Sequence, residues 1–148
     1  MRAAYIEDAK QWVEDFTFST EVRVRFSETD MYGHVNNTVI FTYFEYARIE
    51  YLKSLQSEGS FTMKSNENII IVADLQCDYL KQVYFDEVLT IYVKTASIGT
   101  SSIDLHYMVK NENDDICFTG RGTIVSFNQK TGRSVPISVE EKKLLLGK

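Results

Sequence analysis

Phe26-Ser-Glu-Thr-Asp-Met-Tyr-Gly-His-Val-Asn-Asn-Thr38 joins two segments of different hydrophobic period. Before it, Glu21 to Ser27 alternates Val22, Val24 and Phe26 against Arg23 and Arg25, the period of a half-buried strand. After it, Val39 to Leu55 carries Ile40, Phe44, Ala47, Tyr51 and Leu55 at three- and four-residue spacing, the apolar face of one long helix. Glu45, Arg48, Lys53 and Gln56 project elsewhere, and Glu45 can meet Arg48 one turn on. Asn36 or Asn37 suits the helix N-cap, because a side-chain oxygen there can accept from the free N–H groups of the first turn. Lys53 and Gly59 fit its end, and a polar connection around Phe61 and Met63 follows.

Downstream, four runs read as strands: Ile69 to Tyr79, Val88 to Ser97, Ser102 to Lys110 and Ile116 to Phe127. Asn111 to Asp115 forms the turn before the last, and Ser138 with Glu141 makes a capping box for a short final helix. Gly120-Arg-Gly122 lies inside a strand run and marks a close approach of backbone or ligand. Upstream, residues 1–20 form an N-terminal extension, with a short helix expected over Ala3 to Phe16. One helix after the first strand, then an antiparallel meander, predicts an α+β domain: a curved sheet of about five strands wrapped around one long central helix, with short terminal helices. A chain of 148 residues is expected to form this as a single domain, residues 1–148.

Composition narrows the function. A hydrophobic share of 44% with 25% charged residues is that of an ordinary globular protein, and no run of about 20 apolar residues or signal-peptide pattern occurs, so no membrane association and a cytoplasmic location are expected. The net charge of −5, without a basic stripe interleaved with aromatics, argues against a nucleic-acid partner. Cys77 and Cys117 fall in no metal-ligand spacing and read as buried free thiols, so no metal site is expected. GxSxG, GxGxxG and P-loop patterns are absent.

The connection itself carries the chemistry. It holds a carboxylate (Asp30), an imidazole (His34), a flexible glycine (Gly33) and two amides just ahead of a helix N-terminus, where backbone N–H groups and the helix dipole favour developing negative charge. That set suits acyl transfer, in which a carboxylate attacks or activates water and the helix start holds the oxyanion. On the residues alone, Asp30 is equally a catalytic carboxylate or an acceptor for loop N–H groups. His34 either positions water or thioester or bonds within the loop. Asn36 and Asn37 read first as a cap and a loop clamp, and His106, Asp74 and Asp78 as solvent- or subunit-facing strand residues.

Glu28-Thr-Asp-Met-Tyr-Gly-His-Val-Asn-Asn37, followed by Tyr43-Phe-Glu-Tyr-Ala-Arg48 and Glu50, resembles the signature of the 4-hydroxybenzoyl-CoA thioesterase family of hotdog-fold acyl-CoA thioesterases. His34-Val-Asn-Asn37 is also similar to a segment of plant-type acyl-ACP thioesterases. The resemblance spans about Val22 to Pro136 and departs at Gln82, where relatives often place proline. It implies a hotdog fold and hydrolysis of an acyl-CoA or acyl-ACP thioester, with no cofactor, by a homodimer or homotetramer whose sites lie at the subunit interface. It implies Asp30 as nucleophile or general base, with His34 and Asn37 beside it as catalytic positions. The N–H groups of Asn37 and Thr38 are the expected oxyanion donors, and Tyr32, Gly33, Asn36, Thr38 and Phe41 the expected substrate-binding positions. Glu45 is the alternative, helix-borne carboxylate. The rivals are a non-catalytic acyl-thioester or fatty-acid binding module and an enoyl-thioester hydratase on the same scaffold.

Overall fold

A computed structural model describes residues 3–56 and 68–147. Gly59, Phe61 and Met63, expected in the helix end and the connection after it, lie outside the described residues. The elements in chain order are α1 (Ala9–Glu14), β1 (Phe18–Arg23), a 3-10 turn (Phe26–Glu28), α2 (Val39–Gln56), β2 (Asn68–Tyr79), β3 (Val88–Ile98), β4 (Ser102–Lys110), β5 (Ile116–Asn128), β6 (Arg133–Ser134) and α3 (Val139–Leu146). The strands form one antiparallel sheet in the order β1-β3-β4-β5-β2, with β6 a two-residue addition to β5. It curls around α2 as the expected hotdog arrangement.

The core lies between α2 and the concave face of the sheet. Ile40, Tyr43, Phe44, Ala47, Tyr51 and Leu52 of the helix are buried against Leu89, Ile91 and Val93 of β3 and Ile103, Leu105, Tyr107 and Val109 of β4. Phe44 stacks on Tyr107 with ring centroids 4.5 Å apart. A Cβ at Gly120 would lie 2.4 Å from the Phe44 ring, so Gly120 marks backbone packed tightly under the helix, whereas a Cβ at Gly122 would meet Asp74 and Leu75 of β2. Arg48 does not project away from this face as expected. It follows Phe44 by one turn and is buried, its guanidinium 3.4 Å from the Tyr107 hydroxyl and 4.0 Å from Glu45. The inward tyrosine supplies the polar partner that makes this position tolerable for an arginine.

β1 occupies Phe18–Arg23 rather than Glu21 to Ser27. It pairs with β3 from Phe18↔Val93 to Arg23↔Val88, and Phe18 packs edge-on against Tyr51. Beyond Val24 the Glu28 carboxylate accepts from the Arg25 N–H at 2.8 Å and draws the chain into the 3-10 turn, leaving Phe26 exposed. The N-terminal helix is likewise only six residues, starting where Asp8 caps the Gln11 N–H. The capping box of Ser138 and Glu141 starts α3 as expected, and Cys77 and Cys117 are free thiols, the first only half-buried. No described helix is long and apolar enough to cross a membrane.

The convex face carries a hydrogen-bonded chain. Arg121 of β5 bonds Asp104 of β4 and, at 3.3 Å, Asp74 of β2. His106, expected to face solvent or a subunit, is instead buried under α1: the Trp12 indole N–H donates to its Nδ1 at 2.9 Å, and its Nε2 lies 3.2 Å from Asp104. Tyr5 packs against the imidazole at 4.7 Å and against the Trp12 ring at 6.4 Å. Lys94 donates to the Trp12 carbonyl and lies over the Trp12 and Phe16 rings. Asp74 stays exposed, as expected.

Because Nδ1 accepts from Trp12, this packing needs the neutral imidazole. Burial pushes the His106 pKa below its ordinary value, with Lys94 and Arg121 adding to the effect and Asp104 opposing it. A lowered folded-state pKa gives stability that is present above about 6.5 and lost as the pH falls through the folded value. Emission from Trp12, the single tryptophan, should therefore shift to the red on acidification below that range, and the shift should vanish in His106→Gln. An identical transition in the variant would assign it to another group.

Candidate active site

The connection between β1 and α2 folds as a tight turn closed on itself. Thr29 bridges Val35, the Asp30 N–H donates to the His34 carbonyl at 2.7 Å, and the Gly33 N–H donates to the Asp30 carbonyl at 3.1 Å. Within it the Asp30 carboxylate accepts from the N–H of Tyr32 at 2.9 Å and of His34 at 3.2 Å, both through Oδ1. No described residue bonds Oδ2. The two readings of Asp30 are thus compatible: one oxygen organises the turn and the other is open. Gly33 has φ +85°, the left-handed region that glycine enters at little cost.

Two ties hold the turn to the rest of the domain. The Val35 N–H donates to the Val83 carbonyl at 2.7 Å, and His34 bridges Tyr84. The His34 ring meets the Tyr84 ring edge-on at 5.3 Å and lies 6.4 Å from Tyr32. Below the turn, Glu28 accepts from the Tyr43 hydroxyl at 2.8 Å, linking the 3-10 turn to α2. Burial by itself would raise the Glu28 pKa, but the Arg25 N–H, the Tyr43 hydroxyl and the Arg25 guanidinium together hold it below the ordinary value.

At the helix start, Asn36 Oδ1 accepts from the N–H and the hydroxyl of Thr38, at 3.1 and 3.0 Å. Asn36 therefore closes the turn just ahead of α2, two residues before the N-cap position, Thr38. The Asn37 carbonyl accepts from the Tyr79 hydroxyl at 2.6 Å. Burial pushes the Tyr79 pKa up to about 12, so this hydroxyl stays a donor. Of the two expected oxyanion donors, the Thr38 N–H is thus occupied, whereas no described residue accepts from the Asn37 N–H.

A cleft of about 590 Å³ opens here. Asp30, His34, Val35 and Asn37 line it from the turn, and Tyr79 to Val83 with Phe118 from the sheet and the β2–β3 connection. The three expected catalytic positions are therefore brought together in one cavity. Tyr32, Gly33, Asn36, Thr38 and Phe41 do not line it: Tyr32 is exposed, Asn36 and Thr38 bond one another, and Phe41 packs edge-on against Phe44. Glu45 also lies outside it, exposed on α2. A larger groove, of about 950 Å³, opens beside α1 and α3, but its Lys94 and His106 are committed to Trp12. Among the described residues no group of three or more His, Cys, Asp or Glu is arranged to hold a metal ion.

Residues 24–144 match the thioesterase-like superfamily. The chain belongs to this superfamily. It is 44% identical to the uncharacterised protein YsmA of Bacillus subtilis over 144 residues, 97% of this chain and 95% of YsmA. It is 28% identical to the acyl-CoA thioesterase YbgC of Haemophilus influenzae over 60% of this chain and 65% of YbgC. Among solved structures, a thioesterase of Bacillus stearothermophilus assigned by prediction superposes with a TM-score of 0.74 at 32% identity, over 86% of this chain and 92% of that one.

Within this thioesterase-like chain, sequence reasoning missed the sheet side of the cleft. Tyr79, Gln82, Val83 and Phe118 reach the turn across the fold, and the alternation of β2 ending at Tyr79 and the departure at Gln82 were the signals that pointed there. The turn yields a direct test. A Cβ at Gly33 meets nothing within 4 Å, so Gly33→Val strains only the backbone. It should cost about 1–2 kcal/mol of stability, the penalty for a side chain in the left-handed region, measured by urea denaturation. An unchanged midpoint would contradict the turn geometry.

Proposed function

We propose that this member of the thioesterase-like superfamily is an acyl-CoA thioesterase of the 4-hydroxybenzoyl-CoA thioesterase type, with Asp30 as its catalytic carboxylate. The observation that carries the reading is that one cleft is lined both by Asp30 and by Asn37, whose N–H at the start of α2 no described residue accepts. The thioester carbonyl oxygen takes the Asn37 N–H, supported by the positive end of the helix. Oδ2 of Asp30 either removes a proton from water as its oxygen attacks the carbonyl carbon, or attacks that carbon itself to form an anhydride that water then hydrolyses. In both routes the C–S bond breaks, the sulfur leaves as a thiolate and takes up a proton, and the free acid is released. A thiolate is an acceptable leaving group, so one carboxylate and one oxyanion donor suffice. His34, beside Asp30 and edge-on to Tyr84, orients water or the thioester. The acyl-CoA activity of the related YbgC supports CoA as carrier, and acyl carrier protein is the alternative.

The protein acts as a homodimer or a pair of dimers. β2 is a sheet edge of 12 residues with Ile71 and Val72 exposed along it, and its end, Tyr79, borders the cleft. A second copy paired along β2 would therefore flank both sites, which fits the exposure of Tyr32 and Met31 beside them. Full activity from a species that light scattering finds monomeric at micromolar concentration would contradict this assembly.

Thiol release from a panel of acyl-CoAs, short to long aliphatic and aromatic, tests the activity and the residue together. Asp30→Asn should lower turnover by about 100-fold or more, the size expected for loss of a general base or nucleophile. Turnover that survives the substitution would move the chemistry away from Asp30, with Glu45 the carboxylate to test next, and none from the wild type would favour a binding module.

A further inference from the structure

Tyr79 stands at the point where the far edge of the sheet meets the start of α2. Its ring packs edge-on against Phe118 at 5.7 Å, and its hydroxyl reaches 42 positions back along the chain to the Asn37 carbonyl. The other end of that peptide, the Thr38 N–H, is held by Asn36 Oδ1. The Asn37–Thr38 peptide is thus clamped at both polar atoms, one clamp coming from the turn and the other from β2. The preceding peptide is held only through its carbonyl, which accepts from the Val39 N–H at 2.9 Å. Its N–H, that of Asn37, is open.

We propose that Tyr79 is a positioning residue for the thioester reaction: its hydroxyl fixes the Asn37–Thr38 peptide and so holds the Asn37 N–H in register with the Asp30 carboxylate. The inference rests on the thioesterase reading and adds a residue outside the Asp30–Thr38 turn to its machinery. An oxyanion donor works by being held in place before charge develops, so its orientation matters more than its number of contacts. The turn can secure that orientation from one side only. The hydroxyl of Tyr79 secures it from the sheet. Since Tyr79 is 48% exposed, loss of its hydroxyl removes little packing, and the effect falls on the transition state rather than on the fold.

The test compares wild type, Tyr79→Phe and Asp30→Asn on the acyl-CoA that the wild type cleaves fastest. Tyr79→Phe should lower kcat by between about 10- and 100-fold while KM changes less than about threefold, the pattern of a misplaced donor. Its thermal midpoint should stay at the wild-type value, and amide exchange at Thr38 should accelerate. An unchanged kcat in Tyr79→Phe, with Asp30→Asn inactive, overturns the role of Tyr79 and leaves the thioesterase reading standing. Parallel losses in kcat, KM and thermal midpoint also overturn it, because they mark a residue that only supports the fold. A wild type without turnover on the whole panel overturns the thioesterase reading and the role of Tyr79 with it.

Discussion

Where α2 crosses the sheet, the Phe44 ring fills the space that a side chain at Gly120 would need and stacks on Tyr107 of the neighbouring strand. Helix and sheet can approach this closely only because β5 offers bare backbone at the crossing point. The contact sets the height of α2 above the sheet, and through it the position of the helix N-terminus relative to the end of β2. The hydrogen bond from Tyr79 to Asn37 spans that gap at 2.6 Å, so a helix displaced outward would lose it. Packing in the core and geometry at the cleft are therefore one problem.

The cleft itself is built by hydrogen bonds of modest individual strength, each contributing about 1 kcal/mol net. Their arrangement matters more than their sum. Asp30 uses one oxygen to organise its own turn, Asn36 closes the approach to α2, and Val35 and His34 bind the turn to the β2–β3 connection. Among the described residues, one oxygen of Asp30 and the N–H of Asn37 are left without hydrogen-bond partners at this corner. Unsatisfied polar groups are costly where buried and useful where a substrate can satisfy them. In the proposed thioester hydrolysis these two groups share one chemical purpose.

Much of this was legible in the sequence because it is local. The 3.6-residue period over Val39 to Leu55, the strand alternations from β2 to β5, the Asn111 turn and the Ser138 capping box all depend on near neighbours, and each appears close to its expected place. The errors came where a distant contact overrode a local pattern. Val22, Val24 and Phe26 alternate convincingly, yet Glu28 turns the chain before Phe26 can join a strand. His106 and Arg48 look like surface residues by type and period, and both are buried because Trp12 and Tyr107 provide polar partners from other elements. In the site, the residues of the Asp30 turn could be named in advance. Their division of labour could not, since it follows from which peptide groups Asn36 and Tyr79 occupy.

In the proposed reaction a thioester carbonyl sits between Asp30 and the Asn37 N–H. A crystal structure of the protein with an acyl-CoA analogue in which methylene replaces the thioester sulfur tests it most directly, because the carbonyl is retained and cannot be hydrolysed. The carbonyl oxygen is expected about 3 Å from the Asn37 nitrogen, with the carbonyl carbon facing Asp30 Oδ2 directly or across one water. A carbonyl bound away from Asn37, with Asp30 turned out of its reach, would contradict the account.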